Sequence, residues 1–178
     1  KQHFNTEVPI TTPLITYMES NNDILKIHRG KKIFCSQSEF VEEIYRLVDK
    51  IPPNVQPSGS VALVAFSVCI KIGIKEIILV GQDLAYKDNQ THAGRENKVA
   101  FNPNTDVELE GVNGEVIRSR YDWKEFVMRY EDLITQYPDV KVIDAKQYGA
   151  RIKGTKVMEL GVALEQYCNK PIEVNLTN

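Results

Sequence analysis

Apolar and polar positions fall in blocks along the chain. Short apolar runs of strand length are separated by longer segments with helical spacing. Residues 8–16 are rich in β-branched side chains, and Pro9 and Pro13 confine them to an edge strand or an extended segment. Asn22 and Asp23 offer N-caps for a short helix through Ile24, Leu25 and Ile27, which Gly30 stops. Residues 31–35 form a strand-like run. Ser38 then caps a helix over 39–48, where Phe40, Val41, Ile44, Leu47 and Val48 recur at three- and four-residue steps.

A Pro-rich link at 52–57 leads into Ser58-Gly59-Ser60 and a second helix over 61–72. That helix is apolar almost all round, which predicts deep burial, and Gly73 suits its C′ position. Residues 76–81 are a continuous apolar run, the pattern of a central parallel strand covered on both faces. The polar stretch 82–120 exceeds the ~12–15 residues of an ordinary connection. Within it, a Gly-Val-Asn-Gly turn at 111–114 between Val107-Glu108-Leu109 and Val116-Ile117 predicts a small hairpin. Asp122 is placed to cap a helix over 123–136 that Pro138 ends, and 140–143 is another buried-type strand. A last helix is expected over 155–167, with Gly154 and Thr155 at its start. Strands alternating with helices indicate an α/β layer fold with a largely parallel sheet flanked by helices.

Length and composition narrow the picture. At ~150 residues per domain, 178 residues amount to one domain. With 22 Lys+Arg against 24 Asp+Glu, the net charge of −2 argues against a protein that grips a nucleic-acid backbone. No apolar run approaches the ~18 residues of a membrane span, the longest being 61–70, and no signal peptide opens the chain. The first residue is Lys1, and the expectation is an excised piece of a longer cytoplasmic protein. Cys35, Cys69 and Cys168 have no metal-type spacing and read as reduced, buried thiols.

Parallel sheets bind ligands at the carboxyl ends of their strands, which directs attention to the residues just after Val80. There Gln82 and Asp83 reach the sheet edge, where Asp83 can accept from ribose or sugar hydroxyls. His92 can move a proton near neutral pH, and Arg95 can pair with a phosphate. Turn capping by Asp83 and a solvated loop around His92 fit the same residues. Ser58, Gly59 and Ser60 open the apolar helix, and a helix N-terminus favours phosphate or carboxylate, although simple capping accounts for the serines equally. Gly154 and Thr155 would make another anion-friendly helix start; Arg151 and Lys153 beside them fit solvated charges. His3 and His28 sit at polar positions and receive no role.

The strings Gly59-Ser60-Val61-Ala62, Ile72-Gly73, Ile77-Ile78-Leu79-Val80-Gly81-Gln82-Asp83-Leu84-Ala85-Tyr86 and Thr91-His92-Ala93 together resemble the motility-associated factor (Maf) family. Its domain family also includes archaeal 6-hydroxymethylpterin diphosphokinases. Residues 24–34, Val142-Ile143-Asp144-Ala145 and 149–155 fit the same pattern, so the resemblance covers nearly all of 8–165. Position 144 is Asp where the family's Ile-Asn-Ala string has Asn. The family's opening strand and Gly-Pro-Ser-Leu-type loop do not occur, so 1–178 is expected to be one Rossmann-like domain lacking its N-terminal strand-loop portion.

The resemblance implies a sialyltransferase-like, Rossmann-like fold and transfer of a nonulosonic (sialic-acid-like) sugar from a CMP donor to Ser/Thr of flagellin. Under that reading, position and chemistry make His92 and Asp83 the candidate catalytic residues. Ser58, Gly59, Ser60, Gln82, Tyr86, Thr91, Arg95, Gly154 and Thr155 become candidate substrate- or nucleotide-binding residues. No cofactor beyond the CMP-sugar is implied, and no metal ligands are assigned. The expected partners are a nucleotide-sugar and flagellin, with neither nucleic acid nor membrane. Two alternatives stand beside this reading. One is a 6-hydroxymethylpterin diphosphokinase-like transferase; the other is a non-catalytic module that binds nucleotide or flagellin.

Overall fold

A computed structural model describes residues 11–17, 20–36, 38–50, 55, 59–88, 90 and 100–169. The chain divides into two compact units, 1–57 and 58–178. In the first, β1 (Leu14–Tyr17) pairs in parallel with β2 (Lys32–Cys35), joined through α1 (Asn22–Ile27). Asn21, one residue earlier than expected, caps α1 by accepting from the Asp23 N–H at 2.8 Å. The strand expected at 8–16 is seen from Leu14 onward, its first residues lying outside those described. His28 comes directly after α1 and is buried rather than sitting at a polar surface position. The expected amphipathic helix is α2 (Glu39–Leu47), which buries none of its residues; Phe40 and Leu47 stay 73% and 78% exposed.

The second unit carries the larger core. In it, α3 (Val61–Lys71) turns through Gly73, at φ +87°, into β3 (Glu76–Leu79). The hairpin β4 (Asp106–Glu110) and β5 (Val116–Arg120) comes next, then α4 (Tyr121–Gln136), β6 (Lys141–Asp144), β7 (Lys156–Val157) and α5 (Leu160–Tyr167). The sheet order is β3-β6-β7, all parallel, with Ile77 opposite Val142 and Leu79 opposite Asp144. Thus β6 is the middle strand, and β3, expected to be central, stands at the edge of this sheet. Val142, Ile143 and Asp144 are all buried on β6, as a strand covered on both faces requires.

Leu63, Phe66 and Ile70 of α3 share one core with Ile77, Leu79, Val127, Tyr130, Leu133 and Val142. The Phe66 and Tyr130 rings meet edge-on, 5.1 Å apart, a favoured aromatic geometry. The opposite side of α3 is more open than its composition predicts, since Val61 is 85% exposed. The hairpin forms as the turn chemistry requires: Gly114 adopts φ +83°, and the Gly111 N–H donates to the Glu115 carbonyl at 2.7 Å. Five antiparallel pairs run from Asp106↔Arg120 to Glu110↔Val116.

Two helix starts differ from expectation. Arg120, not Asp122, occupies the N-cap of α4, because the Asp122 carboxylate is taken by the Arg120 guanidinium. The final helix begins at Leu160, capped by Glu159, because Lys156 and Val157 join the sheet beside β6 before any helix can start. Gly154 and Thr155 therefore lie in a turn before a strand. All three cysteines are free thiols, and Cys168 is exposed rather than buried. No helix among the described residues is long and apolar enough to cross a membrane.

Candidate functional site at the carboxyl ends of the strands

Strands β3 and β6 run in parallel and end side by side, so the residues after Leu79 and the end of β6 meet at one sheet edge. Asp144 closes β6 fully buried, and the Lys146 ammonium lies 2.8 Å from its Oδ2; both side chains are almost wholly buried. At that distance the two opposite charges are in direct contact. The same ammonium donates to the Gln82 carbonyl at 3.0 Å, tying the two strand ends together. Burial raises the Asp144 carboxyl above its ordinary value; Lys146 opposes that rise, and the negative charge of Asp83 adds to it. The acidic residue at position 144 thus comes with a local counter-charge.

Gln82 also accepts a hydrogen bond from the Tyr130 hydroxyl at 3.3 Å. Burial and the neighbouring Asp144 charge push the Tyr130 hydroxyl well above the usual phenol range, so it acts as a donor. Asp83 is half-buried, and among the described residues its carboxylate has no hydrogen-bond or ion-pair partner. Its backbone is clamped: the Asp83 carbonyl accepts from the Ala150 N–H at 2.7 Å. Gly149 makes the clamp possible. It sits at φ +123°, and a Cβ there would lie 2.4 Å from the Asp83 carbonyl oxygen.

A tight turn links α3 to β3, so the helix runs back against the strand and its N-terminus returns to this same edge. Contacts along α4 agree. Gly59 faces the Phe126 ring, and one helical turn later Tyr130 reaches Gln82. Gly59 takes φ +64°, and Ser60 holds the N-cap of α3 in an extended conformation. The structure therefore brings Gly59, Ser60, Gln82 and Asp83 to one sheet edge. Ser58, Thr91, His92 and Arg95 lie outside the described residues. Thr155 turns inward to donate to the Ile152 carbonyl at 2.7 Å, and a Cβ on Gly154 would meet Ile134 at 2.7 Å.

Tyr86 is buried against the hairpin. Its hydroxyl donates to Asp106 Oδ1 at 3.2 Å, its ring lies under the Arg118 guanidinium at 4.2 Å, and its carbonyl accepts from Tyr148 at 2.7 Å. Asp106 is buried and paired with Arg118 at 2.5 Å. Burial would raise its carboxyl, but the Asn102 N–H and Arg118 outweigh burial and hold it below the ordinary range.

Lys146, Tyr130 and the Asp106–Arg118 pair are absent from the residues expected from sequence, and Gly149, read there as part of an anion-friendly helix start, instead clamps the Asp83 backbone. A charged residue ending an apolar strand, with Lys two positions later, is the signal that could have found Asp144 and Lys146. The hairpin register places Arg118 diagonally from Asp106, within reach of a long side chain. Two carboxylates, Asp83 and Asp144, lie near each other, but no group of three metal-ligating side chains gathers among the described residues. The arrangement offers acceptors for hydroxyl groups at Asp83 and free helix N–H groups at α3, with rigid support from Lys146 and Gly149.

Residues 1–89, half of the chain, match the family model described as 6-hydroxymethylpterin diphosphokinase MptE-like. The chain belongs to this family. The MptE-like match includes Gly59, Ser60, Gln82, Asp83 and Tyr86 and stops short of His92, Asp144 and Lys146. The fold is that of a solved Maf glycosyltransferase from Magnetospirillum magneticum AMB-1, with a TM-score of 0.62 and 17% identity. That likeness covers 82% of this MptE-like chain but 22% of the other, so the chain spans about a fifth of that protein's length. No curated protein matches the sequence.

Proposed function

We propose that this MptE-like domain is the donor-binding part of a cytoplasmic glycosyltransferase that moves a nonulosonic sugar from CMP to Ser or Thr hydroxyls of flagellin. The observation that carries the reading is Asp83, a carboxylate without a partner among the described residues, at the carboxyl end of a parallel strand, beside the α3 N-terminus in a fold shared with a glycosyltransferase. Ser58, Gly59 and Ser60 contact the nucleotide phosphate or the donor carboxylate through helix N–H groups. Gln82 and Asp83 orient hydroxyls, while Thr91 and Arg95 extend the binding surface; Tyr86, Gly154 and Thr155 are packed against the hairpin, Ile134 and the Ile152 carbonyl and support it from behind. The acceptor oxygen bonds to the anomeric carbon and its proton passes to His92. The bond from that carbon to the CMP phosphate breaks, and CMP leaves with the electron pair.

The family match favours a second reading, transfer of diphosphate from ATP to a pterin hydroxymethyl group. That chemistry wants metal-facing carboxylates, and Lys146 already occupies Asp144.

Thermal unfolding with CMP, a CMP-nonulosonate, ATP, and ATP plus 6-hydroxymethylpterin separates the two. A ligand at a hundred times its Kd stabilises by about 2.7 kcal/mol. The glycosyltransferase reading predicts stabilisation by the cytidine ligands. Stabilisation by ATP with pterin and none by cytidine nucleotides would replace it with the second reading.

A further inference from the structure

At the root of the β4–β5 hairpin a cleft of about 380 Å³ opens, lined by Tyr86, Asn104, Thr105, Arg120, Tyr121 and Asp122. Its volume lies in the range of ~300–1,000 Å³ usual for small-molecule sites. The charges on its wall cancel: Arg120 Nε donates to Asp122 Oδ1 at 2.8 Å, and a second contact joins the same two groups. That pairing holds the Asp122 carboxyl below its ordinary value, so both groups stay charged at neutral pH. Arg120 also stacks on the Trp123 ring at 4.6 Å, and that ring meets Tyr86 at 5.1 Å.

The lining chemistry excludes most ligand classes. An anion at Arg120 would meet Asp122, which already takes up the guanidinium's charge, and the Asp106 carboxylate behind Tyr86 is neutralised by Arg118. A cation would meet Arg120. A flat hydrocarbon would cover the Arg120–Asp122 pair and the Asn104 side chain, taking them from water while offering them no hydrogen-bond partner in exchange. A ring that carries vicinal hydroxyls on its edge and C–H groups on its face satisfies both kinds of wall. Its hydroxyls donate to Asp122 and accept from Arg120 and Asn104, and its apolar face lies on the exposed Tyr121. We propose that this cleft binds a neutral sugar ring. The site is separate from the strand ends, so it holds whether or not the sheet edge takes a nucleotide.

Trp123 is the sole tryptophan of the chain and touches two lining residues, so its fluorescence reports on the cleft directly. The protein is titrated with the methyl glycosides of glucose, galactose and N-acetylglucosamine, and separately with inorganic phosphate. The expected result is a saturable change in emission with at least one glycoside and none with phosphate. Asp122→Asn, and independently Tyr121→Ala, weaken that binding by about tenfold or more while the circular dichroism stays unchanged. Tyr121 is exposed, so its variant keeps the test valid should Asp122→Asn fold poorly. No saturable response to any glycoside, an undiminished response in a folded variant, or saturation by phosphate would each overturn the proposal.

Discussion

Replacing Lys146 with Met removes the counter-charge of Asp144 and the donor to the Gln82 carbonyl, and leaves a carboxylate that is almost wholly buried. Removing one partner of a buried ion pair costs about 3–5 kcal/mol. A second route gives a similar figure, because Asp144 can escape by taking up a proton. Holding a carboxyl of ordinary value 3.8 protonated at pH 7 costs about 4 kcal/mol, at ~1.36 kcal/mol per unit. The sign comes from linkage. With its folded-state value raised, Asp144 binds protons more tightly in the folded protein than in the unfolded chain, so stability falls as pH rises above 3.8. Because the unaltered protein already carries part of that rise, the deficit of Lys146→Met should be at most about 4 kcal/mol at pH 7 and shrink by up to about 1.4 kcal/mol for each unit down towards pH 4.

Urea unfolding of both proteins at pH 7, 6 and 5 measures this. The double variant Asp144→Leu/Lys146→Met should regain most of the loss, since a buried pair exchanged for apolar groups of similar size is often neutral or better. A deficit under about 1 kcal/mol at pH 7, or one that does not change with pH, would refute the reasoning.

Gly149→Ala should lose about 2–4 kcal/mol by chemical denaturation, because the new Cβ strikes the Asp83 backbone at a φ that L residues rarely adopt. Tyr86→Phe removes the hydroxyl that donates to Asp106 and should cost about 1 kcal/mol by the same measurement. The Asp106–Arg118 pair behaves opposite to Asp144. Its carboxyl is held below the ordinary value, so its stabilisation is present above pH 3.8 and disappears as pH falls through the lower folded value. Acid titration of Asp106→Asn should accordingly show a shallower loss of stability below pH 4 than the unaltered protein. Leu63→Ala, at a fully buried position in the α3 core, should cost about 2–5 kcal/mol.

The order of strands and helices is legible in the sequence because each element carries its own spacing of apolar residues. The β4–β5 hairpin is equally legible, since Gly111 and Gly114 mark its turn. The failures share a physical cause: a neighbouring side chain, a short strand or packing overrides a local signal. Asp122 has the side chain of an N-cap, but Arg120 pairs with it and takes the cap position. Thr155 reads as a helix start until Lys156 and Val157 find β6 beside them. His28 looks polar and solvated, yet α1 ends with it buried.

The candidate site divides along the same line. Gln82 and Asp83 come directly after an apolar strand and could be picked out from that alone. Lys146 matters only through the two groups it touches, Asp144 and the Gln82 carbonyl, which meet because β3 and β6 end together. The glycines of 149–154 stand out in the sequence, but that Gly149 serves a close approach to the Asp83 backbone depends on a contact no local pattern announces.

The most direct measurement of the proposed function is transfer itself. The full-length protein is incubated with a CMP-nonulosonate and unmodified flagellin, and the flagellin is weighed by mass spectrometry. The account predicts a mass gain of one nonulosonic sugar on Ser or Thr, with CMP released, and loss of that gain in Asp83→Ala. An unchanged flagellin mass, together with AMP release from ATP when 6-hydroxymethylpterin is supplied instead, would contradict it.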